Sequence, residues 1–175
     1  MARLPYADLN AAEAKPLVDR IVTERGSVLH LYQMLLHSPP VAQGWLAYLT
    51  AIRQKSSVPP ALRELVIMRV AIINGAPYEA EQHAPIALKE GVTQDQLDEL
   101  KVWEHSRRFT PQQRAVLELT DGMTRNVQVP KTAVATVREF LDDRQVVELV
   151  ATIGAYNMVS RFLEALDIHS DDERS

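Results

Sequence analysis

Apolar positions recur three and four apart from about Leu17 to Leu166, and two-residue alternation is hard to find, so the chain is read as all-α, with eight or so helices and no sheet. A first helix is expected over Asn10 to Glu24, started late or interrupted by Pro16 and ended by Gly26, and a second over Val28 to His37. Ser38-Pro39-Pro40 breaks the chain, and Pro40 opens a third helix through Ala51. Ser56-Ser57-Val58-Pro59-Pro60 closes that unit.

From Ala61 to Ile73 nearly every position is apolar, which predicts a helix buried on all sides, with Glu64 and Arg69 as its exceptions. Asn74-Gly75 makes a turn, Pro77 starts a fifth helix to Glu90, and Gly91 stops it. Thr93 with Gln96 is a capping box for a short sixth helix. Thr110, Pro111 and Gln113 open a helix to about Arg125, Pro130 another to Phe140, and Asp142-Asp143 the last, to about Leu166. Glu64-Leu65-Val66 echoes Glu148-Leu149-Val150, and Tyr78-Glu79 with His83 echoes Tyr156-Asn157 with Arg161, at different offsets, in the manner of an internal pseudo-repeat of two halves.

Composition adds exclusions to this picture. The 175 residues, 46% apolar and 24% charged, suit one soluble globular domain with a packed core. There is no cysteine, which removes disulfides, thiolate metal sites and thiol nucleophiles. A net charge of −4 with 19 scattered basic residues gives no footprint for nucleic acid. Phe109-Thr110-Pro111 to Leu119 imitates the opening of a helix-turn-helix domain, but the helix after it offers only Lys131 and Arg138 before Glu139, Asp142 and Asp143, which repel phosphate. No apolar run approaches the roughly 18 to 20 residues of a membrane span, so a cytoplasmic location is expected.

The candidate chemistry sits on the fourth and fifth helices. Glu79 and His83 are four apart and share a face, so a carboxylate can orient or charge-stabilise an imidazole. Glu64 lies on the preceding helix, and the short Asn74-Gly75-Ala76 turn makes the two helices neighbours. A glutamate inside an apolar helix is either paired or used, and Arg69 is the nearest cation in sequence, so a purely structural Glu64–Arg69 ion pair is the competing reading. Tyr78, Tyr156, Asn157 and Arg161 either line a substrate pocket or serve packing and interhelix bonds. The Glu-x-x-His repeat of di-iron bundles and the His-Glu-x-x-His zinc motif are absent, as are phosphate loops and a serine-hydrolase elbow, so neither a metal nor a cofactor is expected.

The order Glu64, Ala76, Glu79, His83 resembles the carboxymuconolactone decarboxylase and AhpD-like alkylhydroperoxidase superfamily, whose pattern has a glutamate, two cysteines and a histidine at those spacings. Both cysteines are missing, so the thiol hydroperoxidase activity of two-cysteine members does not carry over. Carboxymuconolactone decarboxylases proper, which lack that cysteine pair, are the closer comparison, with a glutamate in the place of Glu79 and the histidine kept, and the Gly75 to His83 run is similar to the version common in uncharacterised members. The likeness extends to Ser38-Pro39-Pro40, Leu62-Arg63-Glu64-Leu65, and Ile153 to Met158 with Arg161-Phe162-Leu163, or roughly residues 35 to 168.

The resemblance implies an AhpD-like fold, and with the chain's length the expectation is a single such domain over 1–175, with a helical extension at about 1–37 and a polar, frayed tail at 169–175. The resemblance also implies assembly into trimers or hexamers. The expected activity is cofactor-free decarboxylation or isomerisation of a small organic acid or lactone. In it His83 would be the acid or base, Glu79 would hold its tautomer, Glu64 would relay a proton or support the pair, and Arg69 or Arg161 would receive the substrate carboxylate. A non-catalytic oligomeric binding or scaffold member is the alternative.

Overall fold

The computed structural model describes residues 1–173. Among them are nine α-helices and one 3-10 helix, and no strand. The helices are α1 (Lys15–Arg25), α2 (His30–Leu35), α3 (Pro39–Gln54), α4 (Pro60–Asn74), α5 (Pro77–Lys89), α6 (Gln94–Glu99), α7 (Pro111–Arg125), α8 (Lys131–Val137) and α9 (Asp143–Leu166), with the 3-10 helix at Leu100–His105. Prolines open α1, α3, α4, α5 and α7 in their first turn, where a missing N–H costs nothing. The chain divides into two compact units, residues 1–55 with 162 onward, and residues 56–161.

The first unit buries Ile21 of α1, all of α2, and Ala42, Leu46, Leu49 and Ile52 of α3. Trp45 and Phe162 meet with ring centroids 5.2 Å apart. Arg25 Nη2 donates to Thr50 Oγ1 at 2.7 Å, and Thr50 donates on to Glu24 at 2.7 Å. The expected frayed tail is tied along 169–172, where Asp172 accepts from the Tyr6 hydroxyl at 2.7 Å and from the His169 amide at 3.0 Å. Residues 174–175 of that tail lie outside the described residues.

The second unit is organised by α4, on which every residue from Leu62 to Ala71 is buried. Gly75 ends it at φ 63°, a left-handed conformation that glycine adopts without a Cβ penalty, and the Ala76 amide returns to the Ala71 carbonyl at 2.9 Å. That turn lays α5 back along α4, and α7 packs on α4 as well. Both expected capping boxes form, Thr93 with Gln96 and Thr110 with Gln113, and Asp142 with Gln145 makes a third at α9.

Three elements depart from the sequence reading. The 3-10 helix after α6 was not anticipated, because arginines distant in sequence order it: Arg69 Nη1 takes the Leu100 and Lys101 carbonyls at 3.0 and 3.1 Å, and Arg114 takes those of Trp103, Glu104 and Ser106. Helix α8 stops at Val137, since the amides of Glu139 and Phe140 tighten onto carbonyls three residues back. Helix α9 is long and apolar enough, by length and composition alone, to cross a membrane, and half of that window is buried within the protein. Leu149, Ile153, Tyr156 and Val159 place it as a core helix.

Candidate active site

All four side chains that meet at the candidate site belong to the second unit. Glu64 is on the first full turn of α4, Glu79 and His83 lie one turn apart on α5, and Tyr156 is on α9. His83 Nδ1 is 2.8 Å from Glu64 Oε2, and its Nε2 is 3.2 Å from Glu79 Oε1. The Tyr156 hydroxyl oxygen lies 3.3 Å from the same Nε2, with the two rings edge to face and their centroids 5.1 Å apart at 89°. Each ring nitrogen of the imidazole thus faces its own carboxylate. Exposure is 1% at Glu64 and Tyr156, 3% at His83 and 5% at Glu79.

Burial is the largest single influence on His83 and disfavours its charge. The hydrogen bonds to Glu64 and then Glu79, with the charges of both, together outweigh it, so the imidazole is held above its ordinary value of 6.5. In the imidazolium form both N–H groups donate to carboxylates. In the neutral form, with the proton on Nδ1 toward Glu64, Nε2 becomes an acceptor that the Tyr156 hydroxyl can serve. The shorter contact is at Nδ1, where Glu64 is placed to hold the tautomer, while Nε2 faces both Glu79 and the Tyr156 hydroxyl. Among the described residues no group of three His, Asp or Glu side chains is arranged to hold a metal ion.

Several expected site residues lie elsewhere. Arg69 does not pair with Glu64: the two are five apart, about 140° around the helix, and cannot share a face. Arg69 instead grips Asp121 through Nε at 2.6 Å and Nη2 at 2.5 Å, and at 2% exposure all its donor groups are spent within the protein. This corrects both its pairing with Glu64 and its assignment to a substrate carboxylate.

Asn157 and Arg161 also form a separate cluster. Asn157 Oδ1 accepts from Asn74 at 3.1 Å and from Arg161 Nη1 at 2.6 Å, while its Nδ2 donates to Thr124 at 3.1 Å and to the Ile153 carbonyl at 3.0 Å. They lash the end of α4 to α7 and α9. Tyr78 is buried beside Glu79 at the start of α5. Of the five residues expected to bind substrate, Tyr156 reaches His83, its hydroxyl lying 3.3 Å from Nε2.

Sequence reasoning passed over Arg63, quoted above only as part of the likeness. Its Nε is 3.3 Å from Glu64 Oε1, so a guanidinium backs the carboxylate that orients the imidazole. Neighbours in a helix normally diverge, and only the length of the arginine stem lets it fold back to the next residue.

The profile of the carboxymuconolactone decarboxylase family matches residues 39–122, which hold Arg63, Glu64, Glu79 and His83. The uncharacterized protein YdfG of Bacillus subtilis strain 168 is 31% identical over 115 residues, 65% of this chain and 78% of YdfG. A solved protein of unknown function from Agrobacterium tumefaciens, whose description points to the antioxidant defence protein AhpD, is 25% identical with a TM-score of 0.73, over 79% of this chain and 96% of that one. An uncharacterized peroxidase-related protein from Ralstonia eutropha JMP134, described as an alkylhydroperoxidase AhpD core, superposes with a TM-score of 0.83 at 18% identity, over 98% of this chain and 93% of that one. At that identity the likeness speaks for the fold.

Proposed function

Because the chain belongs to the carboxymuconolactone decarboxylase family, we propose that it is a cofactor-free acid–base enzyme, a decarboxylase or isomerase of a small organic acid or lactone, working in the cytoplasm as a homo-oligomer. The observation that carries this reading is the imidazole of His83, held at one nitrogen by Glu64 and flanked at the other by Glu79 and the Tyr156 hydroxyl. Thiol hydroperoxidase chemistry is outside its reach, since the chain has no cysteine.

In the decarboxylation the bond between the substrate carboxylate and its neighbouring carbon breaks, carbon dioxide leaves, and the electron pair remains as an enolate. His83 Nε2–H then delivers its proton to that carbon, and the Tyr156 hydroxyl donates to the enolate oxygen while the charge is present. Isomerisation uses the same nitrogen first as base and then as acid. In both cases Glu64 keeps a proton on Nδ1 throughout, as a positioning residue.

A second reading, a non-catalytic scaffold, draws support from the burial of the four side chains and from their mutual satisfaction. The two separate on a panel of lactones and keto acids assayed with wild type, His83→Ala and Glu79→Gln. The acid–base reading expects turnover by wild type and a loss of about 10²- to 10⁴-fold in His83→Ala. Equal rates in all three proteins would leave the scaffold.

A further inference from the structure

Arg63 and Arg69 lie on the same buried helix, and their surroundings differ in a way that assigns Arg63 a task. Arg69 is saturated: Asp121 takes Nε and Nη2, and two backbone carbonyls take Nη1. Among the described residues Arg63 makes one bond, a long one of 3.3 Å from Nε to Glu64 Oε1, and its side chain is 9% exposed. Its two terminal nitrogens, which carry four N–H donors, have no protein acceptor among the described residues, and neither is sealed from solvent.

Were Arg63 present only to neutralise Glu64, a two-pronged contact like that of Arg69 with Asp121 would serve better. Both terminal nitrogens reach solvent, so water serves the fork in the free protein, and a ligand carboxylate that displaces that water gains two charge-assisted bonds. Exposure is 1% at Glu64, 3% at His83, 5% at Glu79 and 8% at Arg63, so Arg63 is the most exposed of these four.

We infer that Arg63 is the anchor for a substrate carboxylate, gripped by the Nη1 and Nη2 fork, and that the site therefore takes small carboxylic acids in preference to neutral lactones. This rests on the acid–base reading of His83 and narrows its substrate class. A planar guanidinium fork matches a carboxylate in two parallel bonds, whereas an amide or ester oxygen uses one of them and brings no charge. Glu64 bridges the anchor and the imidazole, with Oε1 toward Arg63 Nε and Oε2 toward His83 Nδ1.

The test is calorimetric titration of acetate and benzoate, with acetamide and benzamide as uncharged counterparts, at constant ionic strength. It uses wild type, Arg63→Gln, Arg63→Lys and Arg161→Gln, each checked for helical circular dichroism. Expected are saturable binding of the carboxylates and not the amides by wild type, a weakening of about ten- to hundredfold in Arg63→Gln, an intermediate value in Arg63→Lys, and no change in Arg161→Gln. Amides binding wild type as well as carboxylates do, or Arg63→Gln binding carboxylates at wild-type strength, overturns the inference.

The kinetics separate it from the reading beneath it. Arg63→Gln should raise KM for an acid with kcat nearly kept, where His83→Ala loses kcat. Carboxylates bound through Arg63 by a protein that turns over none of the panel would sustain the anchor and end the acid–base reading. Turnover of an acid by Arg63→Gln at the wild-type kcat/KM would do the reverse.

Discussion

At the scale of single residues, His83 couples stability to pH. Its folded value is raised, so the stabilisation it brings is complete below its unfolded value near 6.5 and is lost as pH rises through the higher folded value. Urea denaturation across pH 6 to 9 should show wild type losing stability toward the alkaline end, with a flatter profile for His83→Gln; identical profiles would mean that the imidazole is not held charged. Asp121→Ala strands Arg69 in the core and should cost roughly 3–5 kcal/mol in the same assay. The convergence of Glu64, Glu79 and His83 was legible in the sequence, because helical spacing and a short turn dictate it. The fate of the arginines was not: which carboxylate a long side chain reaches depends on helices distant in sequence, and Asp121 is 52 residues from Arg69.

At the scale of elements, local signals did most of the work. Proline at helix starts, glycine at stops and the Thr93 and Thr110 capping boxes were readable because each acts within one turn. Thr110→Ala should cost about 1 kcal/mol and lower Tm by a few degrees, which differential scanning calorimetry can resolve. The 3-10 helix was unreadable for the opposite reason, since Arg69 and Arg114 hold it from outside.

Glu148, in the expected repeat of Glu64, has a different office: it ties the turn before α4 to α9 by accepting from the Ser57 amide at 2.7 Å and the Ser57 hydroxyl at 2.8 Å. Burial opposes its charge, but Ser57, Arg144 and Ser56 overcome this and hold it at about 2. Its contribution is therefore present above the ordinary value of 4.5 and lost as pH falls from there toward about 2. Acid denaturation of Glu148→Gln should lack that component of the wild-type curve.

At the scale of the whole molecule, the all-helical class and the family were legible, the first from periodicity and the second from the spacing of Glu64, Glu79 and His83. The division into two units was not, because the last residues of α9 and the C-terminal stretch join the first 55 residues of the chain, a partition that no linker signals. The account joins these scales at one imidazole: a buried helix supplies Glu64, the turn at Gly75 returns His83 to it, and burial strengthens the interaction between the two.

The most direct test of that claim is an ¹⁵N NMR titration of the His83 ring in wild type and in Glu64→Gln. The account predicts a wild-type midpoint above 6.5 that falls in the variant, with the neutral ring carrying its proton on Nδ1. A midpoint at or below 6.5 that Glu64→Gln leaves in place would contradict it.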